Sequence, residues 1–341
     1  MRKIYYLKLV KNKIMIKKNL NKILYLINSI TLLILLISYL TSYIHPDYFW
    51  QISLLGLFFP IVLITNVLFS IYWIITWKKY FWANFIIIII GLSHINNIIG
   101  NQKNKLDTKA YSEIAKNKNH TFDQLINIMS YNVRLFNLNQ NIKSDNIEDK
   151  IIEFIKEEKP NILCIQEFKK SDKTKEIYKS FNKAKRSDNK LQIITKYNEI
   201  NSGFVNNINS CIFSDIILND TIRVYNIHLQ SNWIKTMKLS YQTRANEAVI
   251  IKKHIESSPY PVIICGDFND PPISYTYSTI TDNLYDAFQE SGIGIGSSYI
   301  GVPFLRIDYI LHDKKYKSYN YKKYQNKLSD HYPISCDLLI P

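Results

Sequence analysis

Six apolar stretches in the last two-thirds of the chain run into polar or acidic residues that apolar surroundings ordinarily exclude. Tyr131-Asn132 follows INIMS, Gln166-Glu167 follows NILCI, and Asn226-Ile227-His228 lies within IRVYNIHL. Gly266-Asp267-Phe268-Asn269 follows PVIIC, Asp308 lies within LRIDYIL, and Ser329-Asp330-His331 precedes YPIS. A charged group is costly in such a setting unless it is paired, hydrogen-bonded or bound to a metal. Brought together, Asn132, Glu167, His228, Asp267, Asn269, Asp308 and His331 would make a hard, oxygen-rich site suited to magnesium or manganese. Zinc would favour more histidine or cysteine. Taken singly, each has a plainer reading. A strand-end glutamate is commonly a loop carboxylate, Asp308 a buried structural acid, His331 a satisfied core histidine, and Asp267 and Asn269 turn residues. The ordered set is far more specific than its members.

The elements that must carry these residues are short β-rich runs interleaved with helices. Strands are expected at 126–133, 161–167, 191–197, 210–218, 221–229, 261–268, 304–312 and 332–339. A helix is expected at 146–158, where Ile147, Ile151, Ile152, Phe154 and Ile155 share a face; Asp145 and Glu148 suggest a capping box, and Pro160 a stop. A second helix is expected at about 241–256. Many strands with few helices point to a sheet-rich α/β sandwich rather than a doubly wound sheet.

SYNVRLFN, ILCIQEF, YNIHLQS, ICGDFND, RIDYIL and SDHYPI occur in that order over about residues 124–341. They resemble the endonuclease/exonuclease/phosphatase superfamily, the deoxyribonuclease I-like hydrolases. The resemblance implies a four-layer α/β sandwich, two central β-sheets flanked by helices, with the site at one edge. It implies a Mg2+- or Mn2+-dependent hydrolase of phosphoesters, in particular phosphodiesters of nucleic acid or of a phospholipid headgroup. By the same resemblance Glu167 is the principal metal ligand, with Asn132 beside the metal and Asp330 a further acid on the metal or phosphate side. Asp267 orients or deprotonates the attacking water, and Asn269 holds phosphate or that water. His331 faces the scissile phosphate with its ring fixed by Asp308, and His228 contacts phosphate and protonates the leaving oxygen. The chain departs from the family at LQIITKY, where a glycine and a serine are common. Ser298 stands nearest to a usual threonine, and Glu247 stands where glutamine is common. A catalytically silent, membrane-tethered binding module of the same fold is the competing reading. Such a module would be expected to lack some of these residues, and all are present.

The first hundred residues are of another kind. Residues 23–44 and 52–77 are charge-free apolar runs, the second containing Pro60, and 81–99 is a third, less apolar segment. About 20 apolar residues span a bilayer as a helix, and Tyr43, Tyr48, Trp50, Trp77, Tyr80 and Trp82 cluster at the segment ends as interfacial aromatics do. A soluble bundle would not need such runs, and a cleaved signal peptide would be shorter with a small-residue cleavage site. The expected organisation is a basic cytoplasmic N-terminus (1–22), a membrane anchor of three transmembrane helices (23–100), a polar linker (101–122) and a catalytic domain (123–341). Arg2, Lys3, Lys8, Lys11, Lys13, Lys17, Lys18 and Lys22 hold the N-terminus inside. Three crossings then put the domain on the outer, periplasmic or extracellular, face of the cytoplasmic membrane. The linker's lysines pull against this.

The net charge of +15 suits a nucleic-acid or anionic-membrane partner. Lysine, isoleucine, asparagine and tyrosine are abundant throughout, however, which reads as coding bias acting on surface positions. No protein partner is deducible. Cys164, Cys211, Cys265 and Cys336 each sit in an apolar run without paired spacing, as buried thiols do.

Overall fold

Continuous apolar runs such as ILCI and VIIC read as strands covered on both faces, and each becomes an interior strand of a sheet. A computed structural model describes residues 2–104, 124–140, 142–181, 190–206, 208–231 and 234–341. Most of the expected linker lies outside the described residues. The strands are β1 (Ile99–Asn101), β2 (Gln124–Asn132), β3 (Ile162–Gln166), β4 (Gln192–Thr195), β5 (Asn198–Phe204), β6 (Cys211–Ile217) and β7 (Thr221–His228). They continue with β8 (Val262–Asp267), β9 (Leu284–Asp286), β10 (Ile293–Ile295), β11 (Asp308–Asp313), β12 (Lys317–Lys323) and β13 (Ile334–Ile340). One sheet has the order β12-β13-β2-β3-β4, the other β5-β6-β7-β8-β11-β9, and β1 pairs with β10 separately. Within each large sheet one central pair is parallel, β2 with β3 and β7 with β8.

The two sheets pack face to face over Ile128, Cys164, Val224, Ile263, Ile310 and Leu338, all fully buried. Burying each such side chain contributes about 1.5–3 kcal/mol. On the outside, Ile151 and Ile155 of α5 (Ile147–Glu158) cover Leu163 and Ile165 of the first sheet. Ala248 and Ile251 of α6 (Met237–Glu256) cover Tyr225 and Ile264 of the second. The result is the four-layer sandwich, two sheets flanked by helices. All four cysteines are buried in it.

Several details differ from the sequence reading. β5 and β12 were not expected, because both are edge strands with polar, exposed residues, which is how sheets discourage edge-to-edge association. The 304–312 run becomes strand only at Asp308: Phe304 takes φ +68°, and the Ile307 and Asp308 amides donate to Ser298 Oγ. No capping box forms on α5. Asn146 sits at the N-cap in a left-handed conformation, and Glu148 accepts from Ser171 Oγ instead.

The N-terminal helices form a bundle. α1 (Arg2–Ser38) runs into a 3-10 turn (Tyr39–Ser42), α2 spans Gln51–Ile75, and the third segment is α3 (Phe81–Ile90) followed by α4 (Leu92–Ile98). Two helices are long and apolar enough to cross a membrane, and α3 with α4 would make a third although bent by 66°. The bend falls at Gly91, where a Cβ would collide with the ring of Tyr39, whose hydroxyl donates to Ile87 O at 3.0 Å. Amides tie the bundle together. Asn28 of α1 exchanges hydrogen bonds with Asn84 of α3 (2.9 and 3.0 Å) and accepts from Trp73 Nε1 of α2 (2.6 Å). Were the bundle in lipid, interhelical polar contacts of this kind would supply cohesion that the hydrophobic effect does not. The far end of the bundle carries Lys17, Lys18, Lys22 and Lys78 around one concavity. The near end docks on the sandwich: Ser42 Oγ donates to Ile273 O, Asn97 Nδ2 to Pro272 O, and Arg306 Nη2 to Asn97 O.

Below the catalytic end, the two sheets are bridged by fully buried amides. Gln166 Nε2 donates to Asn226 Oδ1 at 2.7 Å, and Asn226 Nδ2 donates to the carbonyls of Ile165 and Gln192 at 2.8 Å. Asn226→Ala strands several of these groups, and each costs about 1–3 kcal/mol when left unsatisfied. We expect a loss of at least about 2 kcal/mol, read as a lowered urea midpoint of the full chain in mild detergent.

Candidate active site

Strand register alone places half of the candidate residues. In the parallel β7–β8 pair His228 stands beside Asp267, and in the antiparallel β8–β11 pair Asp267 stands beside Asp308. Gly266 makes that approach feasible: with φ +144°, its Cα lies where a Cβ would overlap the Ile227 carbonyl. At the same end of the other sheet, Asn132 pairs with Gln166, one residue before Glu167. The chain leaving this end is strained. Arg134, Leu135, Phe136, Asn137, Glu167 and Asn269 all have φ between +45° and +62°. Such conformations in non-glycine residues gather at sites that the surrounding structure over-determines.

These placements converge. Asn132 Nδ2 donates to Asp267 Oδ2 at 3.0 Å and to Glu167 Oε1 at 3.2 Å, so one amide joins the two carboxylates. His228 Nε2 lies 3.7 Å from Glu167 Oε1 and 3.8 Å from Asp267 Oδ2. Asp267 Oδ1 accepts from the Asn269 amide, whose side chain donates to Leu229 O. His331 Nδ1 lies 2.8 Å from Asp308 Oδ2, and its Nε2 lies 3.6 Å from Asp267 Oδ2. Seven of the eight candidates thus form one contiguous cluster. Asp330 lies on the same pocket but is engaged differently, its Oδ2 pairing with Arg134 Nη1 at 2.9 Å.

The electrostatics follow from burial and proximity. Burial pushes the Asp267 carboxyl up, to about 6, with Asp308 adding to the rise and the two histidines opposing it. Burial by itself would lower His331. The carboxylates of Asp308 and Asp267 outweigh that and hold it at about 10, so at neutral pH it is an imidazolium whose tautomer question does not arise.

Among the described residues, Asp267, Asp308 and His331 can each bring one ligand atom within 4.8 Å of the others. Within that trio, His331 Nδ1 and Asp308 Oδ2 already satisfy each other. Glu167, partly exposed to the pocket, and Asp267 each present a carboxylate oxygen to the Asn132 side-chain amide. That hard-oxygen arrangement fits a divalent cation of the magnesium type, which would relieve the repulsion between the two acids.

Some contributors were not expected from sequence. Arg134 meets Asp330, and its one signal was its position two residues after Asn132. The Tyr299 ring packs edge-on to His331 with centroids 5.2 Å apart. Arg244, fully buried, bridges Asp270 and Gln230 O and so fixes the loops after β8 and β7. Ser298, which the sequence reading set nearest to the family's usual threonine, holds the start of β11 and with it Asp308.

Fold and site together define an α/β-sandwich phosphoester hydrolase. The Endonuclease/Exonuclease/phosphatase family model matches residues 129–331, and the chain belongs to that family. A second model, described as Domain of unknown function (DUF8431), matches residues 21–98. Solved structures similar to this chain include an endonuclease/exonuclease/phosphatase family protein from Bacteroides thetaiotaomicron (TM-score 0.53, 15% identity, 64% of this chain and 99% of that chain). Another is the endonuclease/exonuclease/phosphatase from Bacteroides vulgatus (TM-score 0.52, 16% identity, 64% of this chain and 100% of that chain). The human Nocturnin catalytic domain, with bound sulfate anion, is similar too (TM-score 0.51, 16% identity, 64% and 94%). At these identities the likeness concerns the fold. No curated protein matches the chain.

The His331–Asp308 pair generates a test that needs no substrate. In the protein stripped of metal, His331 should remain protonated at pH 8 by 15N NMR, and Asp308→Asn should return its titration towards neutrality. Because the folded value is raised from 6.5 to about 10, the pair's stabilisation is complete below about pH 6.5 and is lost as pH rises through about 10. A neutral ring at pH 8 in the unaltered protein would refute the assignment.

Proposed function

We propose that this protein is a divalent-metal-dependent phosphodiester hydrolase held in the cytoplasmic membrane by its N-terminal helices, with its catalytic domain on the outer face. The observation that supports the chemistry most directly is the convergence of Asn132, Glu167, Asp267 and the His331–Asp308 pair at one end of two sheets. A phosphodiester resists attack because its own negative charge repels nucleophiles, and charge accumulates on its oxygens as the leaving group departs. Mg2+ or Mn2+ bound by Glu167, with Asn132 beside it and Asp330 as a further acid, would offset that charge on the phosphate oxygens.

The remaining steps belong to side chains. Asp267, with a pKa near 6, accepts a proton from the attacking water while Asn269 holds the turn that aims it. The water oxygen bonds to phosphorus, the bond from phosphorus to the leaving oxygen breaks, and that oxygen takes a proton from His228. His331, kept as an imidazolium by Asp308, faces the phosphate and stabilises the extra charge in place, which preorganised donors do at several kcal/mol.

Glu167→Ala should lower hydrolysis of a generic phosphodiester by roughly a thousandfold or more, as should excess chelator acting on the unaltered enzyme. Full activity in either case would exclude the metal assignment. Asp308→Ala and His331→Ala should be strongly non-additive, the double variant being hardly worse than the worse single. A double loss equal to the product of the two single losses would mean that they act independently.

The topology rests on the arrangement of ends. The C-terminus of α1, the N-terminus of α2 and the C-terminus of α4 lie against the sandwich, while Lys17, Lys18, Lys22 and Lys78 gather at the opposite end. Basic residues at one end and the domain at the other support an odd number of crossings. Protease added to intact spheroplasts should degrade the catalytic domain and spare a cytoplasmic marker, as read on denaturing gels. Survival until the membrane is permeabilised would overturn the outward orientation.

A further inference from the structure

The pocket over Glu167, His228, Asp267 and His331, about 530 Å3, is not enclosed by the catalytic domain alone. One wall is α2, through Gly56, Leu57, Phe58, Pro60 and Ile61. The facing wall is the loop before β11, through Val302, Pro303 and Phe304. The cavity therefore has a charged, phosphate-handling end and an apolar end, and the apolar end is part of a helix long enough to cross a membrane.

Its depth matches a lipid. Phe58 and Ile61 lie roughly 10–15 Å along α2 from Gln51, at about 1.5 Å per residue. A bilayer's polar layer is only about 5–8 Å deep on each side, so the catalytic end sits at headgroup level and the α2 wall continues into hydrocarbon. An exposed ridge, Phe58, Ile61, Ile64, Leu68 and Ile71, leads on from the pocket down the helix. Across the mouth, Val302 and Phe304 are 43% and 42% exposed, an apolar loop tip that water would penalise and a membrane interface would accept. None of the described residues lining the pocket is lysine or arginine. A nucleic-acid strand is held chiefly by cations along its backbone, and the described lining of the pocket supplies none.

We infer that the substrate is a bilayer-resident phospholipid, whose phosphodiester reaches the Glu167–His331 end while its acyl chains stay against the α2 ridge. The anchor is then a wall of the site as well as a tether. This rests on the hydrolase reading above, and it assigns to α2 and the 302–304 loop the recognition of the lipid body.

The test uses the full chain in phosphatidylglycerol nanodiscs, with chelator present, and phosphatidylglycerol carrying a diazirine near the glycerol end of one acyl chain. Photolysis should label Tyr299 and Leu305, which line the pocket, as well as the distal α2 segment 68–75 that any surrounding lipid touches. Leu57→Trp with Ile61→Trp, which fill the apolar wall, should cut labelling of Tyr299 at least tenfold while labelling of 68–75 persists. Phe304→Ser, at the partly exposed loop tip, should cut it severalfold. Labelling confined to 68–75, or Tyr299 labelling indifferent to all three substitutions, overturns the inference. With Mg2+ restored, hydrolysis of nanodisc phosphatidylglycerol relative to soluble bis(4-nitrophenyl) phosphate should fall at least tenfold in the Leu57/Ile61 variant. An unchanged ratio, or preferential cleavage of an oligonucleotide by the unaltered enzyme, also overturns it. If neither diester is hydrolysed, the hydrolase reading fails by itself, and the labelling pattern still decides whether lipid enters the pocket.

Discussion

Gln166 of one sheet and Asn226 of the other, both fully buried, meet through a 2.7 Å hydrogen bond directly beneath the candidate site residues. An amide in such a place tolerates few alternatives, because a small sliding of one sheet over the other would leave it and its carbonyl partners unpaired. The bridge therefore fixes the offset between the sheets. Glu167 follows Gln166 by one residue, and Asn226 precedes His228 by two, so the same bond that aligns the sheets aligns a carboxylate from one with an imidazole from the other. The hydrophobic layer between the sheets supplies most of the cohesion, but apolar contacts are non-directional and do not by themselves set register at this resolution of position.

Upon that alignment the charges are arranged in opposition. Three carboxylates, Glu167, Asp267 and Asp308, meet within one small volume, and two histidines and an amide lie among them. Asp267 and His331 are displaced in the same direction, each towards its protonated form, for different reasons: burial in the first case, neighbouring negative charge in the second. The acid is thereby poised near neutrality while the imidazolium is held well clear of it. A protein of marginal stability can hold such a cluster because the backbone around it, from Arg134 to Asn137 and at Glu167, is already committed to conformations that repacking could not easily relieve.

The catalytic half of the molecule was readable in sequence to the extent that chemistry sits at strand ends. Apolar runs buried on both faces announce central strands, and the residue after such a run must lie at a sheet end; Glu167, His228 and Asp267 were all found that way. Polar edge strands announce nothing, since β5 and β12 owe their strand character to a partner's hydrogen bonds and keep polar side chains in water, whereas the apolar edge strand β4 was legible. The break at Gly91 was equally hidden, because it depends on the arrival of Tyr39 from a helix fifty residues away. Nor could local sequence reveal that Arg134 would be paired with Asp330, or that Gly56 to Ile61 would border the site. Those are facts of docking, and no periodicity within either segment encodes them.

The short pairing of β1 with β10, Gly100 against Gly294, sets how far the enzyme can search. The chain is clasped to the catalytic domain within a few residues of leaving α4, and Gln102 and Asn104 extend the clasp through Gly292 O and Glu290 O. A flexible tether of some twenty residues would let a site roam over roughly 25 Å, sampling solution and distant surface alike. A domain clasped to a membrane-spanning bundle would keep its mouth at one height and one tilt, and under the proposed phospholipid reading substrate would arrive by lateral diffusion in the sheet of lipid rather than from the surrounding fluid.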